Sequence, residues 1–290
     1  MIRRTLSEAA FRLGRHSSQT ALLEWAIRLD PHWLRPAQEL VRRGKPEAAG
    51  AILSWTLASL RGCRDAGSMT PGLPEESRNF LMLAAELLPL SHGQCFQDVA
   101  ALFFAAHRKN GFFVEVGTGD GVRLSNTYML ERDFAWSGIL FEPDRRNQET
   151  IRARRRAMLD VRAAFSEDGR SLSFVECSGS TALSTLKAFR RNNGRLRQGA
   201  VNEVVTVRLD TALEAANAPR MIDYISIDTE GSELEVLEGL DLARWRVRFL
   251  TIEHNYVPGR REELARRLGG QGYRQVLPEF SCMDSWFVRE

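Results

Sequence analysis

The stretch FVEVGTGDG, residues 113–121, decides how this sequence is read. It starts as a short apolar run broken only by Glu115 and ends in Gly117, Gly119 and Gly121. A run of this kind reads as a strand buried on both faces. Glycine lets the backbone turn sharply and lets a ligand approach without meeting a Cβ. At the carboxyl end of a first strand, with a helical pattern following, such a loop builds a floor for a nucleotide-like ligand. Glu115, Gly117, Thr118, Gly119 and Gly121 are therefore the first expected cofactor contacts. Glu115 has two possible roles, ordering the loop or meeting the amino group of an amino-acid moiety.

Downstream, similar runs recur between helical stretches: GILFE (138–142), VRAAF (161–165), YISID (224–228) and FLTIE (249–253). That alternation predicts βαβ units and a doubly wound α/β fold with a mostly parallel sheet. SLSFVE (171–176) and VVTVRL (204–209) read as extra short strands, and YRQVL with DSWFV as a closing antiparallel hairpin. Upstream, helices are expected near 76–90 and 94–108, the second with an apolar stripe of Phe96, Val99, Ala100, Phe103 and Phe104. Residues 64–76, rich in Gly, Pro and acid, read as a linker. Residues 1–60 read as helices, with the Asp30-Pro31 stop and small residues of a tetratricopeptide-like hairpin. Only one such unit is visible, whereas repeat arrays need about three. The expected organisation is a helical region and linker over 1–75 and a catalytic domain over 76–290.

About twenty residues beyond the glycines, the second run ends in Phe141-Glu-Pro-Asp144. A carboxylate there can accept both hydroxyls of a ribose, and that role falls to Glu142. A dehydrogenase also carries an acid in this place. Its glycine fingerprint, however, is G-x-G-x-x-G, and here Val122 holds the third glycine's position. That, with Glu115 before the loop, favours S-adenosylmethionine over NAD. Phe165 and Ser166 follow the third expected strand, where an adenine edge lies. Phe165 is read either as stacking on adenine or as core.

At this point the residues resemble the FkbM family of methyltransferases over roughly 112–288. The carrying motifs are FVEVGTGDG, FEPD, AFS at 164–166, VRLDT at 207–211, DYISIDTEGSELEVLEGL at 223–240, IEHN at 252–255 and the terminal MDSWFV. The family's usual loop is DVGANxG; here Glu115 stands for the Asp and Gly119 for the Asn. Where the family often has Asp-Asp before the last aromatic strand, this chain has Asp284-Ser285. The resemblance implies a class I, S-adenosylmethionine-dependent enzyme, often one that O-methylates sugars or other natural-product hydroxyls. A small-molecule or glycan acceptor is expected accordingly.

A hydroxyl is a poor nucleophile until it loses its proton, so a general base is expected. Asp228 ends the fourth expected strand, at the ligand crevice of an open sheet, and Glu230 and His254 lie nearby in sequence. The reading assigns catalysis to Asp228, His254 and Glu230, with His254 the favoured base because its ordinary pKa lies near neutrality. Asp228 also belongs to the expected cofactor contacts. The bland alternative makes Asp228 and Glu230 caps of the helix that follows. No metal is assigned, although Asp228 with Glu253, His254 or Asn255 could supply ligands. Ser178–Ser184, rich in small hydroxyls, reads equally as acceptor pocket or surface loop.

Composition narrows the field. With 40 Lys+Arg against 37 Asp+Glu, net charge is only +3. This gives no general argument for nucleic acid or acidic membranes. The Arg-rich stretches Arg145–Arg162 and Arg190–Arg197 could contact phosphate, but charge runs usually form solvated helix faces. Nucleic acid is therefore not the expected partner. Four scattered cysteines without CxxC spacing argue against zinc and suit reduced thiols in the cytoplasm. No apolar run reaches the length of a membrane span. Nothing in the pattern sets an oligomeric state.

Overall fold

The structure, a computed structural model, describes residues 74–290 except positions 193 and 279. The expected tetratricopeptide-like hairpin and almost all of the linker lie outside the described residues. The chain divides into two compact units, Met1–Ser91 and His92–Glu290. In the first, helix α1 spans Glu75–Leu87. Pro74 precedes it, and Glu75 and Glu76 occupy its first turn, where acids favour the positive end of the helix dipole.

The second unit runs in this order: α2 (Gln97–Phe104), β1 (Phe112–Val116), α3 (Tyr128–Phe134), β2 (Ser137–Phe141), α4 (Arg145–Arg154), β3 (Met158–Asp160), β4 (Ala163–Ala164), β5 (Ser171–Cys177). It continues through β6 (Thr185–Leu186), β7 (Arg191–Asn192), β8 (Arg195–Leu196), β9 (Gly199–Val207), α5 (Leu209–Ala215), β10 (Met221–Ile227) and α6 (Glu233–Glu238). It closes with β11 (Arg246–Glu253), α7 (Arg260–Gly269), β12 (Tyr273–Gln275) and β13 (Asp284–Arg289). Two single 3₁₀ turns, Thr181–Leu183 and Lys187–Phe189, flank β6.

The central sheet has the order β12-β13-β11-β10-β1-β2-β3. Strands β3, β2, β1, β10 and β11 run parallel, while β13 is antiparallel to both of its neighbours. This is a mixed α/β domain on a mostly parallel sheet. Successive side chains on a strand face opposite ways. On one face Val114, Val116, Ile139, Phe141, Ile225, Ile227, Leu250 and Ile252 join one buried cluster. Leu209 and Leu213 of α5, Val236 of α6, and Leu264 and Leu268 of α7 close it. The other face carries aromatics: Tyr224 stacks on Phe249 at 5.5 Å, and Phe104 of α2 meets Phe249 at 4.9 Å. Each fully buried side chain of this size contributes about 1.5–3 kcal/mol of transfer free energy.

The terminal hairpin and the two extra strands appear where the pattern placed them, as β12 with β13 and β5 with β9. The third strand does not. Within the expected VRAAF strand, only Ala163–Ala164 is extended, and it pairs with β9 in a second sheet, β4-β9-β5-β6. The central sheet's outer strand is instead Met158–Asp160, paired with β2. Asp160 makes the break: its carboxylate accepts from the backbone N–H of Arg162 at 3.0 Å and turns the chain out of the sheet. Among the described residues, no helix is long and apolar enough to cross a membrane.

Candidate functional site

Strand order reverses at β1, whose chain successor β2 lies on one side and β10 on the other. Open α/β sheets hold ligands outside the carboxyl ends of their strands at such a point. A cleft of about 530 Å³, its open mouth included, lies there. Its floor is Val116, Gly117, Gly119, Phe141, Glu142 and Pro143; Asp228, Thr229, Glu230 and Ser232 form one end. Ala163, Ala164, Phe174 and Leu186 of the second sheet supply an apolar wall, with Thr181, Ala182 and Ser184 beside it.

The glycines have different jobs. Gly117 sits at φ +84°, and a Cβ there would stand 1.7 Å from the carbonyl oxygen of Asp228. It is the close approach of two strand ends that requires glycine. Gly119, at φ +59°, faces open space: no atom lies within 4 Å of where its Cβ would be. Its N–H donates to Glu142 Oε2 at 2.6 Å, and the N–H of Asp144 donates to Glu142 Oε1 at 2.8 Å. Glu142 is thus fixed at the cleft floor beside an empty backbone cradle. Burial pushes its carboxyl up to about 8, against the pull of those two N–H donors.

Glu115 does not reach the cleft. Its carboxylate accepts from Ser125 Oγ at 2.9 Å, the Asn126 N–H at 2.6 Å and Thr127 Oγ1 at 2.6 Å. Arg155, its side chain fully buried, stands 3.6 Å away and also bonds Glu131, Thr127 and the carbonyl of Gly121. Of its two expected roles, Glu115 takes the ordering of the loop. Thr118 donates to the Glu115 carbonyl at 3.3 Å, and Gly121 packs toward Ile151 and Arg155.

The far end of the cleft is acidic. Asp228, Glu230 and Glu253 offer carboxylate oxygens that all lie within 4.8 Å of one another, a spacing that a cation could bridge. Asp228 opens to the cleft, yet desolvation by the protein packed around it raises its carboxyl well above the usual range, and the neighbouring charges of Glu230, Asp284 and Glu233 push it further. Glu253 is raised by burial and then by Asp228 and Glu230. Like charges this close resist ionising together, so Asp228 and Glu253 compete for protons. Arg197 answers part of the charge, its Nη2 2.5 Å from Glu230 Oε2, and Asn255 donates to Glu230 and Glu253 at 3.4 and 3.3 Å. Asp284 accepts from Gln97 Nε2 at 2.8 Å, and burial lifts it to about 6.

His254 follows β11 but does not line the cleft. Its Nδ1 accepts from the N–H of Tyr256 at 3.1 Å, which puts the proton of the neutral ring on Nε2. Burial lowers its pKa below the ordinary value. The helix-cap alternative is not seen either: α6 has no side-chain cap from Ser232, and Glu233 itself accepts from the N–H groups of Thr229 and Gly231.

Of the residues singled out in the sequence, the structure brings together Gly117, Gly119, Glu142, Asp228 and Glu230. Glu115, Thr118, Gly121, Phe165, Ser166 and His254 stand outside the cleft lining. Phe165 is core, packed with Phe174, Leu186 and Val204. Part of Ser178–Ser184 does line the cleft, and Ser184 ties it down by donating to Asp144 Oδ2 at 2.7 Å. The Arg-rich stretches are not simply solvated faces, since each contains one buried cation, Arg155 and Arg197. The sequence reading missed Arg155, Arg197, Phe174 and the triplet Ser125-Asn126-Thr127. The triplet had a usable signal: three consecutive side chains able to donate, set just past a glycine loop that follows a buried acid.

Residues 115–288, more than half of the chain, match the family described as methyltransferase FkbM domain. No curated protein matches. Among solved structures, the crystal structure of methyltransferase FkbM from Methylobacillus flagellatus KT aligns with a TM-score of 0.42 at 13% identity. The alignment covers 74% of this chain and 55% of that one, so the chain spans about half the length of that neighbour.

Proposed function

The chain belongs to the FkbM methyltransferase family, and on that premise we propose that it uses S-adenosylmethionine to methylate a hydroxyl of a sugar or other small acceptor. One observation carries the cofactor reading: Glu142 is held at the cleft floor by the N–H of Gly119, whose missing side chain leaves open space beside it. The residues present fit the cofactor. Glu142 would accept from the ribose hydroxyls, the backbone at Gly117–Gly119 would lie under the amino-acid portion, and Ala163, Ala164, Phe174 and Leu186 would enclose the adenine. Bound there, S-adenosylmethionine supplies an electrophilic methyl group on a sulfonium.

The chain's own part is positioning and proton transfer. Holding two reactants in line supplies much of the rate. The acidic end of the cleft provides the base: Asp228 lines the cleft, and with its carboxyl raised, its ionised form is a stronger proton acceptor than an ordinary carboxylate. His254 fits this role less well, because its acceptor nitrogen is already engaged by Tyr256.

Calorimetric titration tests the reading. S-adenosylmethionine and S-adenosylhomocysteine are expected to bind at micromolar concentration, NAD not to bind, and Glu142→Ala to abolish binding. Preference for NAD, or indifference to the substitution, overturns it.

A further inference from the structure

We propose that a second groove, beside the cofactor cleft, receives the acceptor and that this acceptor is an amphipathic phosphate, an apolar body bearing one phosphate group and the hydroxyl that is methylated. The inference rests on the methyl-transfer reading above and names the substrate class for it.

The groove encloses about 940 Å³, its open side included. Five of its nine lining residues are apolar, and the other four are Arg170, Ser173, Lys187 and Arg190. No acid lines it. Two acids stand by: Glu167, paired with Arg170 at 3.3 Å, and Glu203, whose oxygens accept from Ser171 and Ser173 at 2.8 and 2.9 Å and whose charge also faces Lys187. Lys187 and Arg190 are three residues apart across the 3₁₀ turn Lys187–Phe189, whose closing bond runs from the N–H of Arg190 to the carbonyl of Lys187. Side chains at i and i+3 of such a turn eclipse. Two exposed cations are therefore stacked on one side of the turn, an arrangement that suits a phosphate, which carries nearly two negative charges near neutral pH. Beneath them Phe189 and Leu172 remain only half-buried against the core of the second sheet. An apolar body would cover them.

The groove borders the cleft: Leu186, part of the apolar wall, lines both. Phe189 abuts the loop that carries Glu230: a Cβ on Gly231 would stand 2.8 Å from the Cβ of Phe189. Gly231, at φ +140°, keeps that contact close. One segment, residues 181–190, thus walls the cofactor cleft with Thr181, Ser184 and Leu186 and the groove with Lys187, Phe189 and Arg190.

The test uses the full chain and three probes in calorimetry: dodecyl phosphate below its micelle concentration, inorganic phosphate, and dodecyl maltoside. Dodecyl phosphate is expected to bind, with the other two roughly tenfold weaker or worse. The double variant Lys187→Glu/Arg190→Glu is expected to lose about tenfold or more in dodecyl phosphate affinity while its S-adenosylhomocysteine affinity stays unchanged. Absence of dodecyl phosphate binding overturns the proposal. So does equal binding of either control probe, or an affinity that ignores the charge reversal. Failure of the wild type to bind S-adenosylhomocysteine would instead sink the methyl-transfer reading, so the two failures are separable.

Discussion

Arg197 and Glu230 form a buried ion pair that ties the segment before β9 to the loop after β10, with Nη2 and Oε2 2.5 Å apart and side chains only 7% and 10% exposed. Glu230 sits at φ +58°, a conformation that non-glycine residues seldom adopt. The pair helps hold it there, at the acidic end of the cleft. Removing one partner of a buried pair leaves an uncompensated charge, at a cost of about 3–5 kcal/mol. Arg197→Met should lose stability on this scale in urea unfolding, and Arg197→Met/Glu230→Gln should recover most of it. A double variant as unstable as the single one would show that packing, not charge, fixes this loop.

Gly117 and Gly119 make opposite predictions from the same substitution. Gly117→Ala drives a Cβ into the Asp228 carbonyl, so the strand ends must separate and the domain should lose several kcal/mol or fail to fold. Gly119→Ala meets nothing and costs about 1–2 kcal/mol for its left-handed backbone. Its methyl group fills the cradle beside Glu142, however, so the folded variant should bind S-adenosylhomocysteine far more weakly. Thermal unfolding read beside calorimetry separates the two effects. Undiminished binding in Gly119→Ala would place the ligand elsewhere.

The parts of this site that were legible in the sequence are those whose signal is local. Gly117, Gly119 and Glu142 each follow directly on an apolar run, and a strand's carboxyl end fixes where its next residues go. The parts that were not legible depend on partners distant in the chain. Arg197 finds Glu230 across 33 residues, and Asn126 donates to Ser226 across 100. No local pattern distinguishes a buried arginine from its solvated neighbours in an Arg-rich run. The third strand misled for a related reason. Met158–Asp160 is short and partly exposed at the sheet's edge, so it lacks the apolar signature that Val161–Phe165 carries. Asp160 then turns the chain so that the apolar residues serve another sheet.

The raised Glu142 carboxyl, at about 8, makes cofactor affinity depend on pH. Ribose hydroxyls donate best to an ionised carboxylate, so binding must deprotonate Glu142 and release a proton. S-adenosylhomocysteine affinity should therefore rise roughly five- to tenfold between pH 7 and 8.5. Glu142→Gln should flatten the profile. For folding the sign is opposite: the native state holds this proton from its ordinary value near 4.5 up to about 8, so the group's stabilising contribution is full below that window and is lost as pH rises through 8. The ligand-free protein should melt lower at pH 8 than at pH 5.5. A pH-independent affinity would mean that Glu142 does not meet the ligand.

The base can be identified by pairing Asp228 with His254. Asp228→Asn keeps size and hydrogen-bonding capacity but cannot take a proton. A positioned base contributes about 10²–10⁴-fold to rate, so turnover, read as S-adenosylhomocysteine release in the presence of an acceptor, should fall on that scale while ligand affinity holds. His254→Asn leaves an oxygen able to accept from the Tyr256 N–H in place of Nδ1, and turnover should stay within a few-fold because the ring lies outside the cleft lining. The pH profile adds an independent check. With Asp228 as base, activity climbs as its raised carboxyl ionises, and that limb disappears in Asp228→Asn. If His254→Asn instead lost as much turnover as Asp228→Asn, His254 would have to move into the cleft when substrate binds.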